Sequence, residues 1–175
     1  MEPLTIAVVG AGTAGGAAAT LLARAGHRVT VFERIEDPKP VGAGITLQPT
    51  GQAALQRMGL LEEVVARGAP IERLTCIRSN GKPMVDLPYA EIHHGLRGLG
   101  THRGNLFTTL FAAMRGSGAT LRLGTHVSST STDADGRWLV LDDGERCGPF
   151  DLVVAADGGA CELHSHAKKV KTTAY

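Results

Sequence analysis

The sequence has few aromatic residues, few cysteines and little net charge. Phe, Trp and Tyr make up 4% of the 175 residues, there are three cysteines, and the formal net charge is +1. Because no strong field of either sign exists, neither a nucleic acid nor a membrane surface is an expected partner. Three widely spaced cysteines match neither a disulfide framework nor a zinc motif, so we expect a reducing, cytoplasmic location.

Long hydrophobic runs are also scarce. One uncharged run, residues 4–23, contains Gly12 and Gly16 at the GxxxG spacing of paired membrane helices. Its residues are mostly Ala, Gly and Thr, whereas a membrane span favours bulky apolar side chains. Glu2 stands where a signal peptide would carry basic residues. We therefore expect neither a membrane helix nor a leader.

Histidine pairs are present, but a metal-binding pattern is not. His93 and His94 are adjacent, and His164 and His166 lie close to the end of the sequence. Neither pair has a third ligand at a fixed spacing, so solvent-exposed histidines are the expected interpretation and no metal site is predicted.

Glycine, in contrast, is abundant and patterned. In the stretch AVVGAGTAGG, Gly10, Gly12 and Gly15 fit the GxGxxG motif between an apolar strand and a helix predicted over about residues 13–25. The apolar spacing of this helix places Ala14, Ala17, Ala18, Leu21 and Leu22 on one side. A second strand follows at residues 27–33, which predicts a parallel βαβ unit.

This unit has the chemistry of a nucleotide site. The first glycine permits a tight turn, the second leaves room for a phosphate, and the third allows close packing of helix and strand. The helix start then offers backbone N–H groups to a pyrophosphate. Glu33, at the end of the second strand, can accept both hydroxyls of an adenosine ribose and disfavours a 2′-phosphate. Arg34 could pair either with phosphate or with the nearby acidic residues, and the sequence does not decide between them.

The rest of the chain alternates short strands and helices. Asn80-Gly81 predicts a hairpin turn between two strands, and residues 104–115 have the apolar periodicity of a helix. Strands broken by turns at residues 135–136 and 143–144 predict a three-stranded meander, and an apolar strand at residues 150–159 follows.

The segment PVGAGITLQPTGQAALQRMGL, residues 40–60, resembles the class A flavoprotein monooxygenases, the family of p-hydroxybenzoate hydroxylase. The resemblance lies in the glycine-rich GAGI segment, which includes Gly44 and Ile45, and in the Pro-opened helix that ends at Met-Gly-Leu. Thr50 replaces the Asn more often found after this proline. The resemblance implies FAD as the cofactor, with Gly44 and Ile45 beside the flavin.

Two later motifs extend the resemblance. THRGNLFTTL is similar to the family's Arg-x-x-Leu helix start and implies that Arg103 lies near the flavin. DLVVAADGG is similar to its Asp-Gly motif and implies that Asp157 lies close to the nucleotide. After that motif the chain departs from the family pattern, because Gly159, Cys161 and His164 occupy positions that usually hold Ala, Ser and Arg.

The resemblance implies an α/β fold: a Rossmann-like FAD-binding βαβ unit with a parallel sheet, a β-meander and part of a second mixed sheet. Residues 1–160 are expected to form the first part of an FAD/NAD(P)-binding domain, in which residues 70–100 contribute strands toward a substrate sheet. Residues 161–175 are expected to form a truncated tail. The family's second flavin motif, a Gly-Asp pair, has no match in the chain, which we therefore interpret as the N-terminal portion of a family member.

The implied function is the FAD-dependent hydroxylation of an aromatic or similar small organic substrate, with NAD(P)H as the reductant. The oxygen chemistry of such enzymes belongs to the flavin, so the lack of an identifiable catalytic residue is no objection. Other flavin-dependent oxidoreductases, namely a reductase, an epoxidase or a halogenase, are alternatives, as is a non-catalytic nucleotide-binding remnant. The sequence leaves two alternatives open for the protein partner of this chain: further copies of itself, or a missing C-terminal half.

Overall fold

A computed structural model describes residues 2–159 and Leu163 of the chain. The predicted tail, apart from Leu163, therefore lies outside the described residues, as do Cys161, His164 and His166. The chain divides into two compact units: the first combines Met1–Pro38 with Met114–Tyr175, and the second is Lys39–Ala113.

The described elements comprise five helices and twelve strands. The helices are α1 (Thr13–Arg24), α2 (Pro49–Met58), α3 (Leu61–Val65), α4 (Tyr89–Ile92) and α5 (Arg103–Arg115). The strands are β1 (Thr5–Val9), β2 (Arg28–Phe32), β3 (Gly44–Leu47), β4 (Ala69–Ile71), β5 (Arg73–Ile77), β6 (Pro83–Pro88), β7 (Gly98–His102), β8 (Thr120–Arg122), β9 (Val127–Asp133), β10 (Gly136–Leu141), β11 (Arg146–Phe150) and β12 (Leu152–Ala155).

The first unit is built on a four-stranded parallel sheet with the order β12-β1-β2-β8. β1 is central, and Ile6, Ala7 and Val8 are fully buried. Apolar, β-branched residues suit a strand that is covered on both faces. The predicted parallel βαβ unit of β1, α1 and β2 is confirmed, as is the α/β fold class.

The side of α1 that carries Ala14, Ala17, Ala18, Leu21 and Leu22 is not its buried side. The buried residues of this helix are Gly15, Gly16, Ala19 and Thr20, whereas Leu21 is 39% exposed. The helix packs closely against the sheet, and small residues allow that approach better than leucine does. The buried Thr20 hydroxyl donates to the Gly16 carbonyl oxygen at 2.7 Å, which satisfies its hydrogen-bonding need.

The predicted meander is confirmed as the antiparallel sheet β11-β10-β9. Its apolar residues pack with those of the parallel sheet: Leu139 is fully buried in a cluster with Phe32 and Phe150. The rings of Phe32 and Phe150 meet edge to face, with centroids 6.1 Å apart. This aromatic contact joins the end of β2 to the meander.

The second unit contains an antiparallel sheet, β3-β7-β4, and the hairpin β5-β6. The hairpin at Asn80-Gly81 and the helix over residues 104–115 agree with the sequence prediction. The central strand β7 was not predicted, because glycines at Gly98 and Gly100 conceal it. Its neighbour β4 and the short helix α4 were not predicted either. Within residues 2–159 and Leu163, no helix is long and apolar enough to cross a bilayer.

Candidate functional site

The turn between β1 and α1 depends on two of its three motif glycines for its own folding. Gly10 has a φ of +97°, and its N–H donates to the Phe32 carbonyl oxygen at 2.8 Å. A Cβ at Gly10 would overlap the carbonyl oxygen of Ala156, and a Cβ at Gly15 would overlap that of Gly10. Both positions therefore require glycine for packing within the chain.

Gly12 has no such requirement. It is the N-cap residue of α1, its φ is −71°, and a Cβ placed on it has no chain atom within 4 Å among the described residues. No side chain caps this helix end, so the first backbone N–H groups of α1 face open space. Such a helix start attracts anions, and a glycine there admits a large one. The turn thus fits a pyrophosphate.

Glu33 is tied to the glycine turn. Its Oε2 accepts a hydrogen bond from the Ala11 N–H at 2.7 Å, and its Oε1 accepts one from the Ile35 N–H at 2.9 Å. A carboxylate has about four acceptor sites, so these bonds leave capacity for ligand hydroxyls. The assignment of Glu33 to a ribose stays a prediction, and the structure adds that the same carboxylate fixes the turn.

A cavity of about 110 Å³ opens where β1 and β2 end, inside the first unit. Four predicted site residues line it together: Gly10, Glu33, Arg34 and Asp157. The parallel register explains this arrangement, because the ends of neighbouring parallel strands meet at one edge of the sheet. Gly12 and Gly15 belong to the adjoining turn.

Sequence reasoning missed one wall of this cavity, formed by Thr125, His126 and Val127. The Thr125 N–H donates to the Glu33 carbonyl oxygen at 2.8 Å, which fastens this wall to the end of β2. His126 Nδ1 lies 2.8 Å from Asp142 Oδ2. The local sequence gives no signal for this role, because residues 126–133 have only the pattern of a strand.

An ion-pair cluster supports the cavity from the side of Phe32. The Arg122 guanidinium lies 5.4 Å from the centroid of the Phe32 ring, and its Nη1 donates to Glu145 Oε1 at 3.0 Å. The hydrogen bonds from Arg122 lower the pKa of Glu145 below its ordinary value. Burial raises the pKa of the neighbouring Cys147 thiol. A thiol with a raised pKa is a poor nucleophile, so the cluster has a structural role.

The remaining predicted site residues lie in the second unit. The Arg103 Nε–H donates to the Val41 carbonyl oxygen at 3.1 Å, and the Arg103 N–H donates to that of Ala43 at 3.0 Å. Gly42 has a φ of +114°, and a Cβ on it would overlap the Arg103 guanidinium. Arg103 therefore holds the loop that leads into β3, where Gly44 and Ile45 lie.

A wide, open cavity of about 650 Å³ covers one face of the β3-β7-β4 sheet. Its lining includes the predicted residues Gly44 and Ile45, and also Arg67, Thr101 and His102, which were not predicted. The Arg67 guanidinium at the border of this cavity pairs with Glu63 at 3.4 Å. The mainly apolar lining suits a small organic molecule.

The histidine pairs were also compared with the other potential metal ligands in the described part of the chain. No group of three His, Cys, Asp or Glu side chains is placed to hold an ion there. His93 Nδ1 is 2.9 Å from the backbone oxygen of His94, a contact within the pair itself.

Comparison with known proteins gives a family match over nearly the whole chain. The sequence profile of the family described as FAD binding domain matches residues 4–172. The chain is 31% identical to 6-hydroxynicotinate 3-monooxygenase of Bordetella bronchiseptica, over 97% of this chain and 45% of that protein. It is 33% identical to menaquinone reductase of Mycolicibacterium smegmatis, over 90% of this chain and 38% of that protein.

A solved structure is similar to this chain over most of its length. The tetrameric form of 2-methyl-3-hydroxypyridine-5-carboxylic acid oxygenase superposes with a TM-score of 0.76 at 25% identity, over 93% of this chain and 42% of that one. The chain thus spans less than half the length of the relatives that it matches.

Proposed function

The chain belongs to the FAD-binding domain family, and we propose that it is the FAD-binding portion of a monooxygenase that hydroxylates a small aromatic substrate with NAD(P)H as the reductant. Membership of this family makes FAD the cofactor. The proposal concerns the activity of the whole protein, its substrate and its reductant.

One observation carries the assignment of the nucleotide end. Gly10 and Gly15 are required by packing within the chain, but Gly12 is required by nothing in the described residues. Packing within the described residues therefore does not explain why position 12 is a glycine. A ligand that occupies the space of the missing side chain, at an uncapped helix start, does explain it. The pyrophosphate of FAD fits that space by size and charge.

The residues then divide into two groups. We assign Gly10, Gly12 and Gly15 to the pyrophosphate turn, Glu33 to the ribose, and Arg34 and Asp157 to the nucleotide cavity. We assign Gly44, Ile45 and Arg103 to the flavin end. The bound flavin supplies the redox chemistry, and these residues bind it, orient it and limit its contact with water.

The substrate class rests on the relatives and on the open cavity of the second unit. Two of the matched proteins are, by name, oxygenases of a hydroxynicotinate and of a hydroxypyridine carboxylic acid. The cavity has a mainly apolar lining, which supports an aromatic substrate. A flavin-dependent reductase is the second candidate, because the menaquinone reductase is 33% identical to the chain.

Assembly and location are also proposed. The tetrameric form of the matched oxygenase supports a homo-oligomer. The free thiols of Cys76 and Cys147 support a reducing, cytoplasmic location.

The test compares nucleotide affinity with stability in Gly12→Ala. The backbone at Gly12 is open to alanine, so we expect the free energy of unfolding to change by less than about 0.5 kcal/mol. The affinity for FAD and ADP, measured by calorimetric titration, is expected to fall about tenfold or more. FAD and ADP should also bind the unmodified chain more tightly than NADPH does.

Gly118→Ala is the matched control. Gly118 has a φ of +90° and open space around its Cβ, so alanine there should lower stability by about 1 kcal/mol without changing affinity. Unchanged affinity in Gly12→Ala would contradict the pyrophosphate assignment. To separate the two candidate activities, NAD(P)H oxidation is followed with aromatic acids and with a quinone, and the product that forms decides between hydroxylation and quinone reduction.

A further inference from the structure

The start of α5 is capped by a histidine. His102 is the last residue of β7 and directly precedes the helix, at the N-cap position. The Gly104 N–H donates to His102 Nδ1 at 3.1 Å, which satisfies one of the N–H groups that a helix start leaves without an intrahelical partner. A Cβ at Gly104 would lie 3.0 Å from His102 Nδ1, so the glycine lets the ring approach the helix start closely.

This cap depends on the charge of the ring. An Nδ1 that accepts a hydrogen bond has no proton, so the neutral ring of His102 carries its proton on Nε2. In an imidazolium ion both nitrogens are donors, and the Nδ1–H would then face the Gly104 N–H. The N-terminus of a helix also has a partial positive charge, which opposes a cation there. Protonation of His102 therefore breaks the cap, whereas the usual caps Ser, Thr and Asn take up no proton.

The described groups around His102 are uncharged or cationic. The first turn of α5 contains no acidic residue, and the helix begins with Arg103. Strand β3 places Gly44 opposite His102, without a charge. Among the described residues that line the open cavity together with His102, the charged one is Arg67, which pairs with Glu63 at 3.4 Å. Since Arg103 and Arg67 are both cations, neither compensates the charge of an imidazolium ion.

The capped helix start holds the loop that leads into β3. The Arg103 N–H donates to the Ala43 carbonyl oxygen at 3.0 Å, and the Arg103 Nε–H donates to that of Val41 at 3.1 Å. Pro40, in the same loop, lies against the helix start, because a Cβ at Gly104 would be 3.2 Å from the Pro40 Cβ. The cap, the first turn of α5 and the loop are thus joined by direct contacts, and losing the cap loosens all three.

We propose that His102 is a positioning residue for Arg103: its neutral ring caps α5 and keeps the loop over residues 40–43 in place, and its protonation releases that loop. The affinity for FAD, which the proposed function assigns to this chain and on which this inference rests, then falls between about pH 8 and about pH 5.5, a range in which imidazoles take up a proton. The pyrophosphate turn in the first unit does not depend on this cap.

The experiment compares FAD with ADP-ribose, which has the adenosine and the pyrophosphate of FAD but no flavin. Calorimetric titrations of the whole chain at about pH 8 and about pH 5.5 give both affinities. Acidification is expected to weaken FAD binding about three- to fivefold and ADP-ribose binding less than about twofold, since the loss of one N-cap is equivalent to about fivefold. The ratio of the two affinities is the readout, because His126 lines the nucleotide cavity and its titration would affect both ligands.

His102→Asn separates capping from every other role of the ring. Asparagine is a strong N-cap that does not titrate, so this variant should keep the FAD affinity of the unmodified chain and lose its pH dependence. His102→Ala has no acceptor and should bind FAD about three- to fivefold more weakly at both pH values. His94→Asn is the matched control at an exposed position outside the cap, and it should keep the pH dependence. Circular dichroism establishes that each variant is folded.

A spectroscopic readout needs no ligand. In ¹H–¹⁵N spectra of the unmodified chain at about pH 8, His102 should be in the Nε2–H tautomer, and the Gly104 amide signal should move upfield on acidification as its hydrogen bond is lost. In His102→Asn the Gly104 signal should stay in place. A Gly104 signal that does not respond to pH, or a pH dependence of FAD binding that survives in His102→Asn, would overturn this inference alone. Failure of the unmodified chain to bind FAD at either pH would instead overturn the proposed function, and with it the effect of the cap on flavin binding.

Discussion

The two glycine-rich segments of this chain differ in what holds them. The first, residues 10–15 in the first unit, is fixed by a parallel sheet, by a helix and by Glu33, whose Oε2 accepts the Ala11 N–H. The second, residues 42–44 in the second unit, is held by the pairing of Gly44 with His102 between β3 and β7 and by the bonds that Arg103 donates to the flanking loop. Around the first segment the chain supplies walls on several sides, whereas the second borders an open sheet face.

This difference shows which part of the ligand site is complete within each unit. The nucleotide cavity draws all its lining from the first unit, so affinity for an adenine nucleotide should be measurable with this chain. The residues assigned to the flavin end lie in β3, beside the open sheet face, and at the start of α5. The predictions below test this contrast, from the largest expected effect to the smallest.

Gly10→Ala should have the largest effect. Alanine at a φ of +97° is strained, and its Cβ would overlap the Ala156 carbonyl oxygen, so strand β12 and the turn must separate. We expect a loss of about 3 kcal/mol or more in the free energy of unfolding, measured by denaturant titration. Gly26→Ala is the control, because Gly26 has a φ of +90° with open space around its Cβ, and it should cost only about 1 kcal/mol. If both variants lost the same free energy of unfolding, packing of Gly10 against Ala156 would contribute nothing to stability.

Glu33→Ala should weaken ADP binding about tenfold or more. The carboxylate is expected to accept the ribose hydroxyls, and hydrogen bonds to a charged group contribute about 1.5–3 kcal/mol each. Because Ala11 and Ile35 also lose their acceptor, thermal stability should fall together with affinity. Glu36→Ala removes the same charge from an exposed neighbour and should alter neither quantity. An unchanged dissociation constant for ADP would leave Glu33 with a structural role only.

Arg103→Gln should separate the two ends of the cofactor. Losing the hydrogen bond to the Val41 carbonyl oxygen frees the loop that leads to Gly44, and one such bond is equivalent to about fivefold in affinity. We expect FAD binding to weaken by about that factor while ADP binding stays constant. Arg115→Gln, at the other end of α5, is the control. A parallel loss for FAD and ADP would contradict the assignment of Arg103 to the flavin end.

Glu145→Gln should have the smallest effect, and one that depends on pH. Arg122 lowers the folded-state pKa of Glu145, so the ionised carboxylate stabilises the fold above its unfolded-state pKa, and this contribution disappears as the pH falls through the folded-state pKa. We expect the variant to melt about 2 °C lower at pH 7, with the difference vanishing as the pH falls through the folded-state pKa of Glu145. Glu2→Gln, at an exposed position, should show no such convergence. A difference in melting temperature that persists in acid would show that the ion pair with Arg122 is not its cause.

Much of the first unit could be predicted from sequence because its signals are local. The strand–glycine–helix order around Gly10, Gly12 and Gly15 indicated the parallel βαβ unit, which the structure confirms. Turn residues at 135–136 and 143–144 indicated the meander. The burial of α1 did not follow its apolar pattern, since the distance between helix and sheet selected Gly16, Ala19 and Thr20 over Leu21.

The second unit was harder to predict because its central strand carries no local signal. Gly98 and Gly100 lower the strand propensity of β7, yet this strand pairs with both β3 and β4. The packing explains the choice of residue: a Cβ at Gly98 would press against the Tyr89 ring, and Tyr89 is 1% exposed. The glycine serves a partner that is nine residues away in sequence, which no pattern within the strand can reveal.

By itself the sequence determined the glycine turn between β1 and α1, because a tight bend, an open helix start and close packing are backbone requirements that glycine meets at fixed spacings. It also determined the residues at the strand ends, such as Glu33 and Asp157. Only the tertiary structure decided what stands opposite them. The wall that includes His126 comes from a segment more than ninety residues after Glu33. It is fastened there by a backbone hydrogen bond from Thr125 to Glu33, which depends on strand register and not on side-chain identity.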